Sequence, residues 1–212
     1  MSDDLVFYTS PMSRGRIVRW MLEEVGVPYK TELMDFATTV KSPAFLAINP
    51  MGKVPALTHG PAVITECAAI CAYLADAFPK AGLAPPLGER AAYYRWMFFA
   101  AGPVESAVLN KALGVEIPAG REVMAGYGGF ALMQNVLESA VSKTDYIAGD
   151  SFTAADVYFG SQIGWGMQFG SLEKRPAFEG YWARISERPA AVRAREIDDA
   201  LIAARAAQAS PA

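Results

Sequence analysis

The pattern of apolar residues near the start of the chain changes from strand-like to helical and back. Residues 5–8 (LVFY) are a short run of β-forming residues that ends before Pro11, and they predict a first strand. A helical period follows over about residues 13–25, with Gly26 as its stop. Residues 29–33 fit a second strand, so the order strand, helix, strand predicts the beginning of an α/β unit.

Residues 49–73 (NPMGKVPALTHGPAVITECAAICAY) predict a loop, two short strands and a helix. The helix begins near Cys67, because the apolar residues there recur at i, i+3, i+4 and i+7. The residues with this spacing are Cys67, Ile70, Cys71 and Leu74. Between the two strands, His59-Gly60 fits a tight turn, and we interpret His59 as a solvated turn residue rather than a catalytic one.

Two features of this stretch suit a small peptide with an acidic end. The Val54-Pro55 bond lies where a loop enters a strand, and an X-Pro bond in that place is a candidate cis peptide. A cis bond would leave the backbone of Val54 free to pair with an extended ligand. The helix that begins near Cys67 presents unpaired N–H groups and partial positive charge, which attract a carboxylate.

Beyond residue 87 the pattern of apolar residues becomes helical and remains so. A linker is predicted before this region, because proline and glycine are frequent there and no periodicity is visible. The long helix that follows, residues 89–113, is crowded with aromatic side chains, and Gly102-Pro103 should kink it. The predicted boundaries are residues 1–78 for a first domain, 79–87 for the linker, 88–206 for a second domain and 207–212 for a frayed tail.

A helix start is predicted with particular clarity in the second domain. Thr153 and Asp156 have the spacing of a helix N-cap that exchanges hydrogen bonds with its N3 residue. Phe152 and Val157 occupy the hydrophobic positions on either side of this cap. We therefore predict that Asp156 stabilises the fold and has no part in the chemistry.

The positions of glycines and prolines support two further predictions for this domain. Close approach of neighbouring helices is predicted where glycines recur four residues apart, at Gly160 with Gly164 and at Gly166 with Gly170. Prolines open the last two predicted helices, at Pro176 and Pro189.

Composition narrows the class of protein. The chain has 212 residues, of which 52% are hydrophobic, so it is long enough for one large or two modest domains with a sizeable core. The net charge is −3 and no basic block is present, which argues against nucleic acid as a partner. The first four residues lack the pattern of a signal peptide, and the longest weakly polar run, residues 157–172, is too polar for a membrane span.

Cysteine and histidine content excludes two kinds of site. Two cysteines, four residues apart on one predicted helix, make a poor disulfide pair. One histidine cannot complete a zinc site with them, so no metal is expected. The chain is interpreted as a soluble, cytoplasmic protein.

Two blocks of sequence, residues 49–57 (NPMGKVPAL) and 65–74 (TECAAICAYL), resemble the glutathione-binding half of the glutathione S-transferase family. The family pattern is a Val-Pro step with a cis proline, followed by a Glu-Ser pair that opens the third helix. The stretch 149–156 resembles the capping motif of a buried helix in the C-terminal domain of the same family.

This resemblance covers nearly the whole chain and implies both a fold and an activity. The fold is an α/β thioredoxin-like N-terminal domain followed by an all-α helical C-terminal domain. The activity is conjugation of the glutathione thiolate to a small hydrophobic electrophile, a detoxifying reaction. Glutathione is then a co-substrate, no cofactor is needed, and a homodimer is expected. The runner-up is a non-catalytic member of the same fold that serves as a binding or assembly module.

The resemblance also implies a set of residues for glutathione. Val54 and Pro55 should meet the backbone of the tripeptide, and Lys53 should reach its glycyl carboxylate. Glu66 should orient the γ-glutamyl amine. Cys67 replaces the usual serine of the family, and because a thiol is a weaker donor than a hydroxyl, the γ-glutamyl carboxylate depends more on the Cys67 backbone amide.

Catalysis requires a group that stabilises the thiolate. A thiol with a pKa near 8.5 needs roughly 2.7 kcal/mol of preference for the thiolate if its pKa is to fall by two units. Ser13 resembles the active-site serine of the phi-like and theta-like classes, and its alternative role is that of a simple helix N-cap. Tyr8 is the rival, since alpha-, mu- and pi-like classes use a tyrosine at the end of the first strand. No cysteine occurs between Tyr8 and Trp20, which argues against the thiol oxidoreductase members.

The site for the electrophile should be apolar. It is predicted to combine the loop after the first strand with aromatic residues of the long helix, although aromatic residues at helical spacing also serve as core. The predicted members are Ser10, Pro11, Met12, Tyr94 and Phe98. Three arginines on the first helix, Arg14, Arg16 and Arg19, are interpreted as a solvated face with the alternative of steering an anionic substrate.

Overall fold

Two compact units make up the described part of the chain, residues 4–209 of the computed structural model. The first unit contains the residues up to Ala81 together with the residues from Glu187 onwards. The second unit consists of Gly82–Ser186. The predicted domain boundaries remain a prediction. Residues 1–3, part of the segment compared above with a signal peptide, and residues 210–212 of the predicted tail lie outside the described residues.

A four-stranded mixed sheet forms the centre of the first unit, with the strand order β2-β1-β3-β4. The strands are β1 (Leu5–Thr9), β2 (Lys30–Leu33), β3 (Ala56–His59) and β4 (Ala62–Thr65). Strand β1 pairs in parallel with β2 and antiparallel with β3, and β3 pairs antiparallel with β4. With its helices, this sheet confirms the predicted thioredoxin-like α/β fold.

Helices α1 (Gly15–Val25), α2 (Pro43–Leu46) and α3 (Cys67–Ala77) complete the N-terminal part of the first unit. Helix α1 ends at Gly26, whose φ of 71° is the left-handed conformation that glycine adopts without strain. The four apolar residues that predicted α3, both cysteines among them, are all buried.

His59 is not the solvated turn residue that the sequence suggested. It is the last residue of β3 and is half-buried. Its Nδ1 atom lies 2.9 Å from the Tyr73 hydroxyl, and its ring stacks on Phe78 with 5.5 Å between the centroids. The partial burial of His59 is therefore explained by its packing on α3 and on Phe78, the residue that follows α3.

The C-terminal helix α9 (Pro189–Ala209) belongs to the first unit and packs along α1. It opens at Pro189 as predicted. It continues to Ala209, past the point at which the sequence predicted a tail.

The second unit is all-helical. Its helices are α4 (Ala91–Phe99), α5 (Glu105–Ala112), α6 (Phe130–Val141), α7 (Ala154–Gln168) and α8 (Pro176–Ser186). The predicted long helix is interrupted by a π-helical segment, Ala100–Val104, which contains Gly102 and Pro103. Proline cannot donate the hydrogen bond that a regular helix needs at its position, so the interruption occurs where the kink was predicted.

The N-terminus of α7 carries the predicted capping box. The Thr153 backbone N–H donates to Asp156 Oδ2 at 2.8 Å, and the Thr153 side chain bonds the N3 backbone in return. Asp156 Oδ1 also accepts the Ile147 N–H at 2.7 Å and the Tyr181 hydroxyl at 2.8 Å. Burial raises the pKa of Asp156, and these donors oppose that rise.

Close approach at the glycines of α7 is confirmed at three of the four predicted positions. A Cβ atom on Gly160 would lie 2.1 Å from Ile185, one on Gly164 would lie 2.6 Å from Trp182, and one on Gly166 would lie 2.5 Å from Leu172. The prediction is wrong for Gly170, which follows the end of α7 with a φ of 73° and has open space around it. That glycine serves a turn.

Candidate functional site

The register of the sheet brings three predicted segments to one end of the first unit. Tyr8 near the end of β1 lies opposite Ala56 at the start of β3, and Ala56 lies opposite Thr65 at the end of β4. Because β1 and β4 run antiparallel to β3, the loop after β1, the Val54-Pro55 step and the Glu66-Cys67 pair all adjoin the same end of the sheet.

Ser13 lies in the loop between β1 and α1 and is half-buried. Its hydroxyl donates to the Ser10 carbonyl at 2.7 Å and accepts the Gly15 N–H at 2.9 Å. To donate to a sulfur atom, the Ser13 hydroxyl must exchange its bond to Ser10. A thiolate is a better acceptor than a neutral carbonyl, because hydrogen bonds to ionised groups are stronger.

The first turn of α1 is pressed against the end of β1. A Cβ atom on Gly15 would lie 1.9 Å from Thr9 Oγ1, so a larger residue at this position would displace the Thr9 side chain. The N-cap residue of α1, Arg14, makes no side-chain capping bond, and the first turn contains no acidic residue. The positive end of α1 is therefore not neutralised by its own turn.

Tyr8 occupies a different environment from Ser13. Its half-buried ring packs against Phe45, with 5.7 Å between the ring centroids. It belongs to the border of a small apolar cluster made of Met34, Val40, Phe45 and Ala56, with Ile48 and Val54 also packed against it. Much of the Tyr8 side chain thus supports the segment that contains Val54, a role that the sequence did not predict.

The loop before β3 is organised by Asn49, which is 4% exposed. The Asn49 side-chain amide donates to the Lys53 carbonyl at 2.8 Å, and its Oδ1 accepts the Met51 N–H at 3.1 Å. The Val54-Pro55 peptide bond is cis, as predicted. Asn49 was given no role from the sequence, although asparagine commonly bonds the backbone of its own turn.

Glu66 and Cys67 form the start of α3. Glu66 is exposed and adopts φ 65° and ψ 118°, a conformation that costs a residue other than glycine about 1–3 kcal/mol. Buried Cys67 places its Sγ atom 3.7 Å from the Arg14 carbonyl oxygen, which brings the starts of α3 and α1 into contact. Like α1, α3 has no side-chain capping bond at its N-cap and no acidic residue in its first turn.

Both interpretations of the arginines on α1 are wrong for Arg19, which is neither solvated nor available to a substrate. Arg19 is 1% exposed, and its Nε donates to Asp198 Oδ1 at 2.7 Å. Arg16 is half-buried and pairs with Asp199 at 2.6 Å. Both partners lie on α9, so two of the three predicted surface cations are bound to the C-terminal helix.

The residues predicted for the electrophile differ in exposure. In the first unit, Ser10 and Pro11 are buried and Met12 is 71% exposed. In the second unit, Tyr94 and Phe98 lie on α4 and are 43% and 69% exposed, so the alternative that they belong to the core is wrong. The electrophile site itself remains a prediction.

A polar cleft of 540 Å³ lies within the second unit, beside the C-terminal end of α6 and the N-terminal half of α8. The cleft contains none of the predicted site residues. Its lining includes Lys143, Asp145, Asp150, Tyr181 and Arg184.

Two further observations concern residues 4–209 as a whole. Among them, no group of three or more histidine, cysteine, aspartate or glutamate side chains is placed to hold a metal ion. No helix in this part of the chain is both long and apolar enough to cross a membrane.

Known proteins with similar sequences and structures agree on one family. The family domain described as "Glutathione S-transferase, N-terminal domain" matches residues 9–77, and the domain described as "Glutathione S-transferase, C-terminal domain" matches residues 122–189. The first match contains every residue predicted for glutathione.

Individual relatives extend over most of the chain. Glutathione S-transferase F13 of Arabidopsis thaliana is 31% identical over 169 residues, which are 73% of this chain and 77% of that protein. Glutathione S-transferase 3 of Zea mays is 29% identical over 201 residues, 88% of this chain and 90% of that protein. Among solved structures, a sphingomonad glutathione S-transferase complexed with glutathione superposes with a TM-score of 0.74 at 28% identity, covering 92% of this chain and 98% of that one.

Proposed function

Because the chain belongs to the glutathione S-transferase family, we propose that it binds glutathione and transfers the glutathione thiolate to a small hydrophobic electrophile. In this reaction the thiol loses its proton and the sulfur forms a bond to an electrophilic carbon. Either a leaving group departs with its bonding pair, or the carbon that accepted the charge takes up a proton. The observation that carries the proposal is the meeting of the Ser13, Val54 and Glu66 segments at one end of the sheet.

Each segment supplies a different part of the glutathione site. The Val54 backbone pairs with the tripeptide, and Lys53, which is exposed, reaches its glycyl carboxylate. Glu66 holds the γ-glutamyl amine, and the Cys67 backbone amide at the start of α3 holds the γ-glutamyl carboxylate.

The start of α1 serves the sulfur atom. The Ser13 hydroxyl donates to the thiolate, and the N-terminus of α1, whose first turn contains no carboxylate, adds its positive field. Tyr8 is the rival donor, but its ring packs into the apolar cluster around Phe45. Ser13 is therefore the preferred thiolate donor.

The proposal also covers the electrophile, the oligomeric state and the cellular role of the protein. The electrophile is hydrophobic. The predicted members with exposed apolar side chains are Met12 in the first unit and Tyr94 and Phe98 in the second. Glutathione is the co-substrate and no further cofactor takes part. The protein acts as a homodimer in the cytoplasm and serves in detoxification.

Calorimetry with glutathione followed by activity measurements with a panel of model electrophiles tests this function. We expect glutathione to bind, and S-methylglutathione, which lacks the ionisable thiol, to bind without the release of a proton. Conjugation with at least one electrophile should follow. Binding without any conjugation would support a non-catalytic binding module, and absence of binding would refute the transferase proposal and favour an assembly module.

A further inference from the structure

The C-terminal helix α9 is joined to α1 by a series of ion pairs that run in opposite order along the two helices. The pairs are Arg188 with Glu24, Arg193 with Glu23, Asp198 with Arg19 and Asp199 with Arg16. Helix α9 therefore lies antiparallel to α1. The later pairs on α9 approach the N-terminal end of α1, which is the end that carries the thiolate site.

One of these pairs is buried and the other three are not. The side chains of Arg19 and Asp198 are 2% and 1% exposed, whereas Asp199 is 59% exposed and Arg193 is 52% exposed. Solvent-exposed ion pairs contribute little to a fixed geometry, because water competes with each charge. A buried pair has no such competitor, so its geometry is held more strictly.

Arg19 also connects α1 to the sheet. Its Nη1 atom donates to the Tyr29 hydroxyl at 3.1 Å and to Thr31 Oγ1 at 3.3 Å. Its guanidinium lies 5.2 Å from the centre of the Phe7 ring in β1. Asp198 thus orients a side chain that contacts two strands and α1 together.

The buried pair acts one helical turn from the candidate thiolate site. Gly15 is the first residue of α1, and Arg19 follows four residues later, a distance of about 6 Å along a helix. On the sheet side, Gly15 is already in close approach to Thr9. A displacement of α1 at Arg19 must therefore be accompanied by movement of the Gly15 N–H and of the Ser13 hydroxyl that bonds it.

We propose that Asp198 is a positioning residue for glutathione activation, which acts through Arg19 to hold the first turn of α1 at the sulfur atom. The inference rests on the function proposed above and assigns a role in it to the C-terminal helix. Asp198 holds Arg19 by a single bond, because Arg19 Nη2 and Asp198 Oδ2 have no hydrogen-bond partner within residues 4–209. Asparagine at position 198 keeps one acceptor for the Nε atom, and alanine keeps none.

The variants Asp198→Asn and Asp198→Ala test the proposal, with the ultraviolet absorbance of bound thiolate measured against pH. We expect the pKa of the bound thiol to rise by about half a unit in the asparagine variant and by about one unit in the alanine variant, with correspondingly less thiolate at neutral pH. The dissociation constant of glutathione, measured at a pH where the bound thiol is protonated in every variant, should change by less than about twofold, because the segments proposed to hold the tripeptide lie outside α1.

Two controls separate positioning from loss of stability. Arg193→Gln removes an exposed pair at the far end of α1, and Leu74→Val lowers stability through the core of α3. Both controls should retain the wild-type pKa of bound thiol. In the ligand-free protein, amide hydrogen exchange in the first turns of α1 should be faster in the two Asp198 variants than in Arg193→Gln.

The outcomes distinguish the two proposals. If the folded Asp198 variants lose stability but keep the wild-type pKa of bound thiol, Asp198 is only structural and the inference is overturned. If the alanine variant does not fold, the asparagine variant decides by the same criterion. If wild-type protein shows no bound thiolate, the proposed function itself fails.

Discussion

The N-terminus of α7 and the N-termini of α1 and α3 present the same backbone groups but differ in what bonds them. At α7, Thr153 and Asp156 bond the free N–H groups, and Asp156 places a carboxylate in the first turn. At α1 and α3, neither N-cap residue makes a side-chain capping bond and neither first turn contains an acidic residue. The end of α7 is thus filled by a carboxylate of the chain, whereas at α1 the Ser13 hydroxyl accepts only the Gly15 N–H, and at α3 no side chain caps the helix.

The same physical property of a helix N-terminus serves two purposes in this protein. A helix N-terminus carries partial positive charge and donors without acceptors, whatever its place in the fold. Where the acceptors are the protein's own and are buried, as at Asp156, the result is stability. Where no side chain supplies an acceptor, as at the start of α3 beside the exposed Glu66, we propose that the N–H groups bind a ligand with negative charge.

Removing the Asp156 carboxylate from the first turn of α7 should give the largest effect, a loss of stability. Asp156→Ala leaves the N–H groups of Ile147 and Thr153 and the Tyr181 hydroxyl without their acceptor in a buried place. We expect the free energy of unfolding to fall by about 3 kcal/mol, the scale of stranding several buried donors. Chemical denaturation with urea measures this change, and the exposed neighbour in Asp150→Ala serves as the control.

Glutathione affinity of the folded Asp156→Ala protein should remain that of the wild type. A variant of normal stability that binds no glutathione would place Asp156 in the active site and remove the distinction between the two helix ends.

The hydrogen bonds of Asp156 also show what the sequence could and could not establish. Thr153 and Asp156 are three residues apart, so their exchange of bonds is local and follows from spacing alone. The bonds of Asp156 to Ile147 and Tyr181 span 9 and 25 residues and depend on how the helices pack. The cap was therefore predictable and its buried network was not.

The same limit applies to the candidate site. The cis Val54-Pro55 bond and the helix start at Cys67 are local, and both were predicted. Arg19 has the sequence pattern of a surface cation because its partner, Asp198, follows 179 residues later. The positive φ of Glu66 also has no local signal, because glutamate has no preference for that conformation.

Changes at Glu66 should give the second largest effect and act on binding. Glu66→Ala should weaken glutathione binding by about 1.5–3 kcal/mol, the scale of a hydrogen bond to a charged group. Calorimetry measures this loss. Stability should change less than in Asp156→Ala, because Glu66 is exposed.

Glu66→Gly provides the matched comparison. Glycine accepts the φ of 65° without strain, so the glycine variant should be more stable than the alanine variant by about 1 kcal/mol, with the same loss of affinity. Unchanged affinity in both variants would mean that the glutathione residues are wrongly assigned.

Substitution of the two candidate hydroxyl donors, Ser13 and Tyr8, should have a smaller effect, which is limited to the pKa of the bound thiol. Ser13→Ala should raise the pKa of bound glutathione thiol by about one unit, since one donor at the start of α1 is lost. Tyr8→Phe should leave that pKa near the wild-type value, because the ring packs against Phe45. Thiolate absorbance against pH measures both. The opposite pattern would reverse the assignment, and no change in either variant would point to a backbone N–H.

The smallest effect is expected from placing a carboxylate in the first turn of α3. Ala69 is exposed and is the third residue of α3, the position that Asp156 occupies in α7. Ala69→Glu should raise the free energy of unfolding by about 0.3–1 kcal/mol, because a carboxylate in the first turn is favourable there. The same charge should repel the acidic end of glutathione and weaken its binding by about twofold to threefold. Ala69→Gln is the neutral control, and Ala69→Lys should reverse both changes. Stability and affinity that move in opposite directions across these variants would establish that α3 is left open for an anion. An affinity that stays constant while stability changes would show that the acidic end of glutathione binds elsewhere.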